Sequence, residues 1–158
     1  MSRRDQIRMS ADEVRAFLDA ERVVTCATNG PDGWPHLMPL WYVVDKGLIA
    51  GWTFGKSQKV RNLERVPQAT LQIEAGRDRY QELRGVMLEC DVEILRDQAD
   101  VEAIGLALAR RYAGLPAGAD VSAEARAGVL KQAPKRVGLR FSPTRVVSWD
   151  HRKLGGGY

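Results

Sequence analysis

The segment with the clearest chemical potential is residues 53–62, TFGKSQKVRN, which gathers hydroxyl groups and cations where an apolar run ends. The hydroxyls belong to Thr53 and Ser57, and the cations to Lys56, Lys59 and Arg61. Ser57 is a typical N-cap residue, so the segment predicts a strand, a turn and the start of a helix. Free N–H groups and the helix dipole attract anions to such a terminus. The segment therefore predicts a phosphate site.

A structural interpretation competes with this one: Ser57 caps the helix and the cations form a solvated face. Other chemistries find less support. The sequence lacks a G-x-x-x-x-G-K-[ST] loop, and no G-x-G-x-x-G follows a strand, which argues against tightly held ATP or NAD. His36 and His151 are the only possible histidine bases, and no nucleophile triad stands out. Together with Cys26 and Cys90, the two histidines do not show the spacing of a metal site, so we expect no bound metal.

The elements before this segment are short and are separated by turn signals. A capping-box pattern predicts a helix over about residues 10–21. Residues 23–28 are apolar and β-branched and precede a turn-rich NGPDG sequence, which predicts a strand. Residues 37–44 and 48–53 predict a hairpin. Pro39 lies inside its first arm, where a missing N–H indicates an edge or a bulge.

Strands dominate the remainder of the chain. Residues 69–75 and 86–94 alternate between apolar and polar side chains, the pattern of a half-buried strand. A helical insert is predicted over about residues 97–132, and residues 137–141 and 146–149 predict two closing strands. Six or seven strands with short helices favour a small barrel over a sandwich or a βαβ sheet. We therefore expect a mainly β (α+β) antiparallel Greek-key barrel with peripheral helices.

Composition places the chain among folded proteins, because 44% of its residues are hydrophobic and 28% are charged. We expect one domain over residues 1–158 with a flexible tail at 155–158. No run approaches the ~20 apolar residues that span a bilayer, and the N-terminus lacks a signal-peptide core. We expect a cytoplasmic protein without membrane contact. The net charge of +4 favours anionic partners.

Several segments resemble the pyridoxamine-phosphate-oxidase-like split-barrel superfamily in order and spacing. They are residues 33–42 (GWPHLMPLWY), 53–63 and 67–73. Within that superfamily the chain is most similar to an actinobacterial branch whose members often use a deazaflavin, coenzyme F420. This likeness extends through residues 82–86 and 148–154, so it covers nearly the whole chain. The resemblance implies a split barrel.

The resemblance also implies a homodimer with two cofactor sites at the subunit interface. The tricyclic ring would lie along the strand at residues 39–41. The cofactor phosphate would contact Thr53, Ser57 and Lys59, and Arg61 would belong to the start of the supporting helix.

Further candidates lie outside that set. Lys56 is added for its charge and position. Tyr80 and residues 149–152 are candidates to contact a cofactor site, either in the same subunit or in the partner subunit. The alternative is that their aromatic side chains belong to the core and their charged side chains to the surface. The complete set of predicted cofactor-binding residues is Pro39, Leu40, Trp41, Thr53, Lys56, Ser57, Gln58, Lys59, Arg61, Tyr80 and Trp149.

The activity implied is hydride transfer between coenzyme F420 or FMN and a small organic acceptor. The cations Lys56, Arg61 and Arg65 favour F420 slightly, because its tail is acidic. No catalytic residue is identified, and the candidates for a proton donor are His36, Tyr42 and His151. Vitamin B6 oxidation is not expected, because the Arg-rich C-terminal segment of true pyridoxamine-phosphate oxidase is missing.

Two other classes remain open. Related split barrels hold haem or carry flavin without catalysis, and His36 or His151 would then be an axial haem ligand. A nucleic-acid binder of the OB type would use Trp34, Trp41 and Trp52 for base stacking. Cations scattered among acids argue against it, so we expect no nucleic-acid partner.

Overall fold

Seven β-strands form the frame of the protein, and the computed structural model describes residues 2–155. The strands are β1 Val23–Asn29, β2 Pro35–Trp41, β3 Val43–Asp45, β4 Leu48–Phe54, β5 Gln68–Ala75, β6 Arg84–Leu95 and β7 Arg136–Asp150. They pair antiparallel in one sheet of order β2-β1-β5-β6-β7-β4-β3. The predicted mainly β split barrel of six to seven antiparallel strands is confirmed.

The sheet curls around an apolar core until its two ends approach each other. Alternate residues of the central strands point inward, and Cys26, Leu71, Leu88 and Phe141 are almost completely buried. A Cβ atom on Gly51 of β4 would lie 2.8 Å from the carbonyl oxygen of Trp41 at the end of β2. Only glycine permits this approach, which brings edge strand β2 across to β4.

Within the described residues, five α-helices surround the sheet. They are α1 Arg3–Gln6, α2 Ala11–Ala20, α3 Gln58–Arg65, α4 Gln98–Tyr112 and α5 Ala123–Gln132. The capping box at the start of α2 is present, since Ser10 and Glu13 each accept the other's backbone N–H. Helices α4 and α5 occupy the predicted insert. Of the predicted tail, only Gly155 lies within the described residues.

The predicted hairpin of residues 37–44 with 48–53 is wrong in its first arm. That run is two strands: β2 pairs with β1, and only β3 pairs with β4. Tyr42 is the corner between them, and its N–H donates to the Tyr112 hydroxyl (3.4 Å) instead of to a strand. Pro39 lies on edge strand β2, as its missing N–H indicated.

The two closing strands predicted at 137–141 and 146–149 are one continuous strand, β7. Its register against β6 shifts between Glu89 and Cys90, so that Cys90 faces Pro143 and Glu89 faces Arg145. A β-bulge of this kind tolerates a proline without ending the strand. No helix within residues 2–155 is both long and apolar enough to cross a membrane.

Candidate functional site

The β4–α3 connection forms one wall of a surface groove. Strand β4 ends at Phe54, and the Ser57 hydroxyl accepts the N–H of Val60 (3.5 Å) as the N-cap of α3. Thr53, Ser57, Gln58 and Lys59 all line the groove. The wall therefore combines two hydroxyls, an amide and an ammonium at a helix N-terminus, the setting in which proteins bind phosphate.

Lys59 is a buried cation without a counterion in the described part of the chain. Its side chain is 5% exposed and makes no hydrogen bond or ion pair there. Burial lowers the pKa of Lys59 below its ordinary 10.5. The nearby thiol of Cys26 offers no compensation, because burial raises the pKa of Cys26 to about 11 and keeps it neutral near pH 7. The charge of Lys59 is thus available to a ligand.

Arg136 adds a second cation that the sequence analysis did not identify. It begins β7 opposite Phe54, and its guanidinium lies 4.7 Å from the centroid of the Trp52 ring. The Nε atom of Arg136 is buried and has no acceptor among residues 2–155. The β4–β7 pairing that brings Arg136 to the groove joins residues some eighty positions apart along the chain, so no local pattern could reveal it.

The remaining lining of the groove is largely apolar and forms an aromatic wall. Edge strand β2 supplies His36, Met38, Pro39, Leu40 and Trp41, and β4 supplies Trp52. The groove has a volume of about 690 Å³, within the range of small-molecule and cofactor sites. Its polar end and its aromatic wall match the two halves of a phosphorylated ring compound.

Four predicted residues lie outside this groove. Lys56 lines a neighbouring groove of about 800 Å³ with Arg96 and Lys135, and Arg136 borders both grooves. Arg61 is exposed on α3 and does not line the site. The other two, Tyr80 and Trp149, lie near the far end of β7 from Arg136.

That far end has its own aromatic cluster. The Tyr80 ring meets the His151 ring edge to face at 4.7 Å. Trp149 covers Gly85, where a Cβ would lie 2.4 Å from Cζ2 of the indole. Within the chain these residues are separated from the groove by the length of β7. Residues 2–155 contain no cluster of three His, Cys, Asp or Glu side chains that could hold a metal.

Comparison with protein families gives one match. The profile of the family described as pyridoxamine 5'-phosphate oxidase matches residues 10–150. This region includes all seven strands and every residue of the groove. A search of curated proteins gave no match.

Solved structures match the fold along nearly the whole chain. The conserved hypothetical protein Rv2991 from Mycobacterium tuberculosis is 39% identical, with a TM-score of 0.88 over 100% of this chain and 95% of that chain. An F420 reductase is 24% identical, with a TM-score of 0.61 over 84% and 94% of the chains. The haem storage protein HutZ from Vibrio cholerae is 15% identical, with a TM-score of 0.67 over 87% and 94%.

Proposed function

The chain belongs to the pyridoxamine 5'-phosphate oxidase family of flavin-binding split barrels, and from this premise we propose that it is a flavin- or deazaflavin-dependent oxidoreductase. Coenzyme F420 or FMN would exchange hydride with a small organic acceptor. The observation that carries the proposal is Lys59 at the N-terminus of α3: the residue is almost completely buried, and its ammonium has no partner within residues 2–155.

A phosphate group satisfies the polar end of the groove. A buried charge is costly unless it is paired and hydrogen-bonded, and Lys59 has no such partner within the described chain. Arg136, which lines the same groove, has a buried Nε donor without an acceptor in the described chain. A phosphate would accept from Lys59 and from the hydroxyls of Ser57 and Thr53, while the dipole of α3 favours its charge.

The aromatic wall supports a bound ring system. Pro39 has no N–H to donate, and it lies on an edge strand whose outer side is not paired with another strand. Trp41, which is 57% exposed, offers a flat apolar surface that excludes water from a ring held along β2, and Trp52 extends the aromatic lining. A bound flavin or deazaflavin supplies the hydride chemistry, so the protein has to bind, orient and shield it. His36 is the groove residue placed to exchange a proton.

The neighbouring groove favours coenzyme F420 over FMN. Arg136 borders both grooves, and Lys56 and Lys135 continue the positive charge beyond it. Arg96 also lines this neighbouring groove, and of these four cations it alone forms an ion pair within residues 2–155, with Glu64. An acidic tail that extends past the phosphate would meet these cations, whereas FMN ends at its phosphate.

Exposed apolar side chains on the β1–β2 hairpin support a homodimer. Trp34 is 81% exposed and Leu37 is 56% exposed. Val23, Met38 and Trp41 extend the same exposed apolar set. Large apolar patches on a monomer mark interaction surfaces, and a second copy seated here would cover the open side of the groove. Sedimentation equilibrium with Leu37→Glu tests this: a dimer that the charge dissociates supports it, and a wild-type monomer contradicts it.

Titration of the purified protein with FMN and with coenzyme F420 tests the cofactor assignment. Quenching of tryptophan fluorescence reports binding, because Trp41 and Trp52 line the groove. We expect micromolar or tighter binding of F420, weakened in Lys59→Ala. Arg61→Ala removes a cation of the same helix outside the groove and should bind like wild type. FMN preference would redirect the assignment to FMN chemistry, and no binding of either coenzyme would refute it.

Haem binding is the second candidate, favoured by His36. This histidine lines the groove, and its Nδ1 atom is buried without a partner among residues 2–155. An imidazole so placed could be an axial haem ligand. The test is titration with haemin: a Soret band that is altered in His36→Gln supports the candidate, and the same spectrum in both proteins rejects it.

A further inference from the structure

Helix α4 lies behind the aromatic wall of the groove and contacts both of its tryptophans. The rings of Tyr112 and Trp41 are stacked, with 3.9 Å between centroids and 6° between planes. On the same helix, a Cβ on Gly105 would lie 2.5 Å from Cζ3 of Trp52. The helical insert is therefore the surface on which both groove tryptophans rest.

Tyr112 is itself firmly held. Its hydroxyl donates to the carbonyl oxygen of Arg22 and accepts the N–H of Tyr42 at the corner between β2 and β3. The preceding residue, Arg111, donates to three backbone carbonyls at and just beyond the end of α2. These carbonyls belong to Leu18, Asp19 and Glu21, at 2.9, 2.9 and 2.6 Å. The end of α4 is thus fixed to the segment that enters β1.

Within residues 2–155, the side chain of Trp41 makes no hydrogen bond that would hold it in the same way. Its side chain remains 57% exposed although Tyr112 covers one face of the indole. Trp41 also lines the groove, so part of this accessible area faces the groove. Without Tyr112 this indole, at the end of an edge strand, would be free to change rotamer. A ligand would then have to order the indole on binding, and the entropy cost of that ordering would lower its affinity.

We propose that Tyr112 is a positioning residue for the cofactor site, acting through Trp41. By stacking on the indole from behind, Tyr112 fixes the orientation of the groove wall before a ring compound arrives. The inference rests on the proposed function, because it concerns the affinity of that groove for a flavin or a deazaflavin. It assigns to the helical insert a part in binding, although α4 contributes no residue to the lining of the groove.

A double-mutant cycle tests whether Tyr112 acts through Trp41. Isothermal titration calorimetry with FMN and with coenzyme F420 would compare wild type, Tyr112→Leu, Trp41→Ala and the double variant. We expect Tyr112→Leu to weaken binding roughly three- to tenfold, the range that a lost aromatic pair gives. In the Trp41→Ala background the same change should have no further effect. Tyr112→Phe keeps the stacked ring and should restore most of the affinity.

The control variant is Val129→Ala, which loosens the insert at a residue that does not line the groove. Val129 is buried on α5 and packs against α4 near Gly105. If Val129→Ala weakens binding as much as Tyr112→Leu, general loosening explains the loss and the inference is wrong. The positioning role of Tyr112 is also wrong if Tyr112→Leu leaves the affinity unchanged, or if it lowers the affinity equally with and without Trp41. Either result leaves the proposed function intact. A wild-type protein that binds neither coenzyme refutes both.

Discussion

The side-chain amide of Asn62 donates a 3.0 Å hydrogen bond to the hydroxyl of Thr28. Asn62 is 0% exposed and Thr28 is 2% exposed, so this bond joins α3 to β1 inside the protein. The amide of Gln58, one turn earlier on α3, donates to the Oδ1 atom of Asn62 (2.8 Å). The N-terminal turn of α3, which carries Lys59, is therefore tied to the sheet through the exposed Gln58 and the buried Asn62–Thr28 pair.

Thr28→Val should destabilise the protein although it preserves the shape of the side chain. The change leaves the Nδ2 atom of Asn62 buried without its acceptor, which costs roughly 1–3 kcal/mol. Thr28→Ser retains the hydroxyl and is the matched control. Urea unfolding measures the difference. Equal free energies of unfolding for wild type and Thr28→Val would show that the Asn62 bond contributes nothing.

Lys59→Met should stabilise the apo-protein while weakening coenzyme binding. A buried ammonium without a counterion disfavours the folded state, and an apolar side chain of similar length removes that cost. We expect a gain of roughly 0.5–2 kcal/mol in the free energy of unfolding at neutral pH. Denaturant unfolding and a binding titration on the same sample measure both effects. A loss of stability would mean that the Lys59 charge is satisfied within the protein.

The pH dependence of stability should carry the signature of Lys59. Its pKa is lowered in the folded state, so the unfolded chain binds more protons between that lowered pKa and 10.5. The cost of the buried charge is therefore fully present below the folded pKa, and stability rises with pH across this window. The difference in the free energy of unfolding between wild type and Lys59→Met, measured by denaturation at several pH values, isolates this rise. A flat difference curve would contradict it.

Gly105→Ala and Gly128→Ala form a matched pair of helix substitutions. At Gly105 of α4 a Cβ would press on Trp52 and on Val129, whereas at Gly128 of α5 it meets nothing within 4 Å. Gly128→Ala should gain roughly 0.5–1 kcal/mol of stability from helix propensity. Gly105→Ala should not show this gain, because the added Cβ displaces the Trp52 ring that lines the groove. Near-UV circular dichroism reports the displacement. Equal stabilisation and unchanged spectra in both variants would contradict the packing of α4 on Trp52.

Local patterns predicted the features that depend on neighbouring residues. The Ser57 cap, the alternation of β6 and the edge position of Pro39 each follow from a few adjacent side chains or a missing N–H. What escaped the sequence analysis depends on distant pairing. Arg136 reaches the groove only because β7 pairs with β4. The split of residues 37–44 follows from the bond between Tyr42 and Tyr112, seventy residues apart.

If the groove binds a cofactor through its phosphate, coenzymes with and without that group should differ in affinity. Isothermal titration calorimetry would measure wild type and Lys59→Ala against FMN and riboflavin, which differ only in the phosphate. F420 and its phosphate-free deazaflavin form a second pair, in which the acidic tail is lost together with the phosphate. We expect the phosphate to strengthen wild-type binding roughly 10- to 100-fold, the range of a charge-assisted contact. Lys59→Ala should abolish most of that gain and leave the phosphate-free compounds unaffected. Equal wild-type affinity with and without phosphate, or equal losses for both forms in Lys59→Ala, would contradict binding through the phosphate.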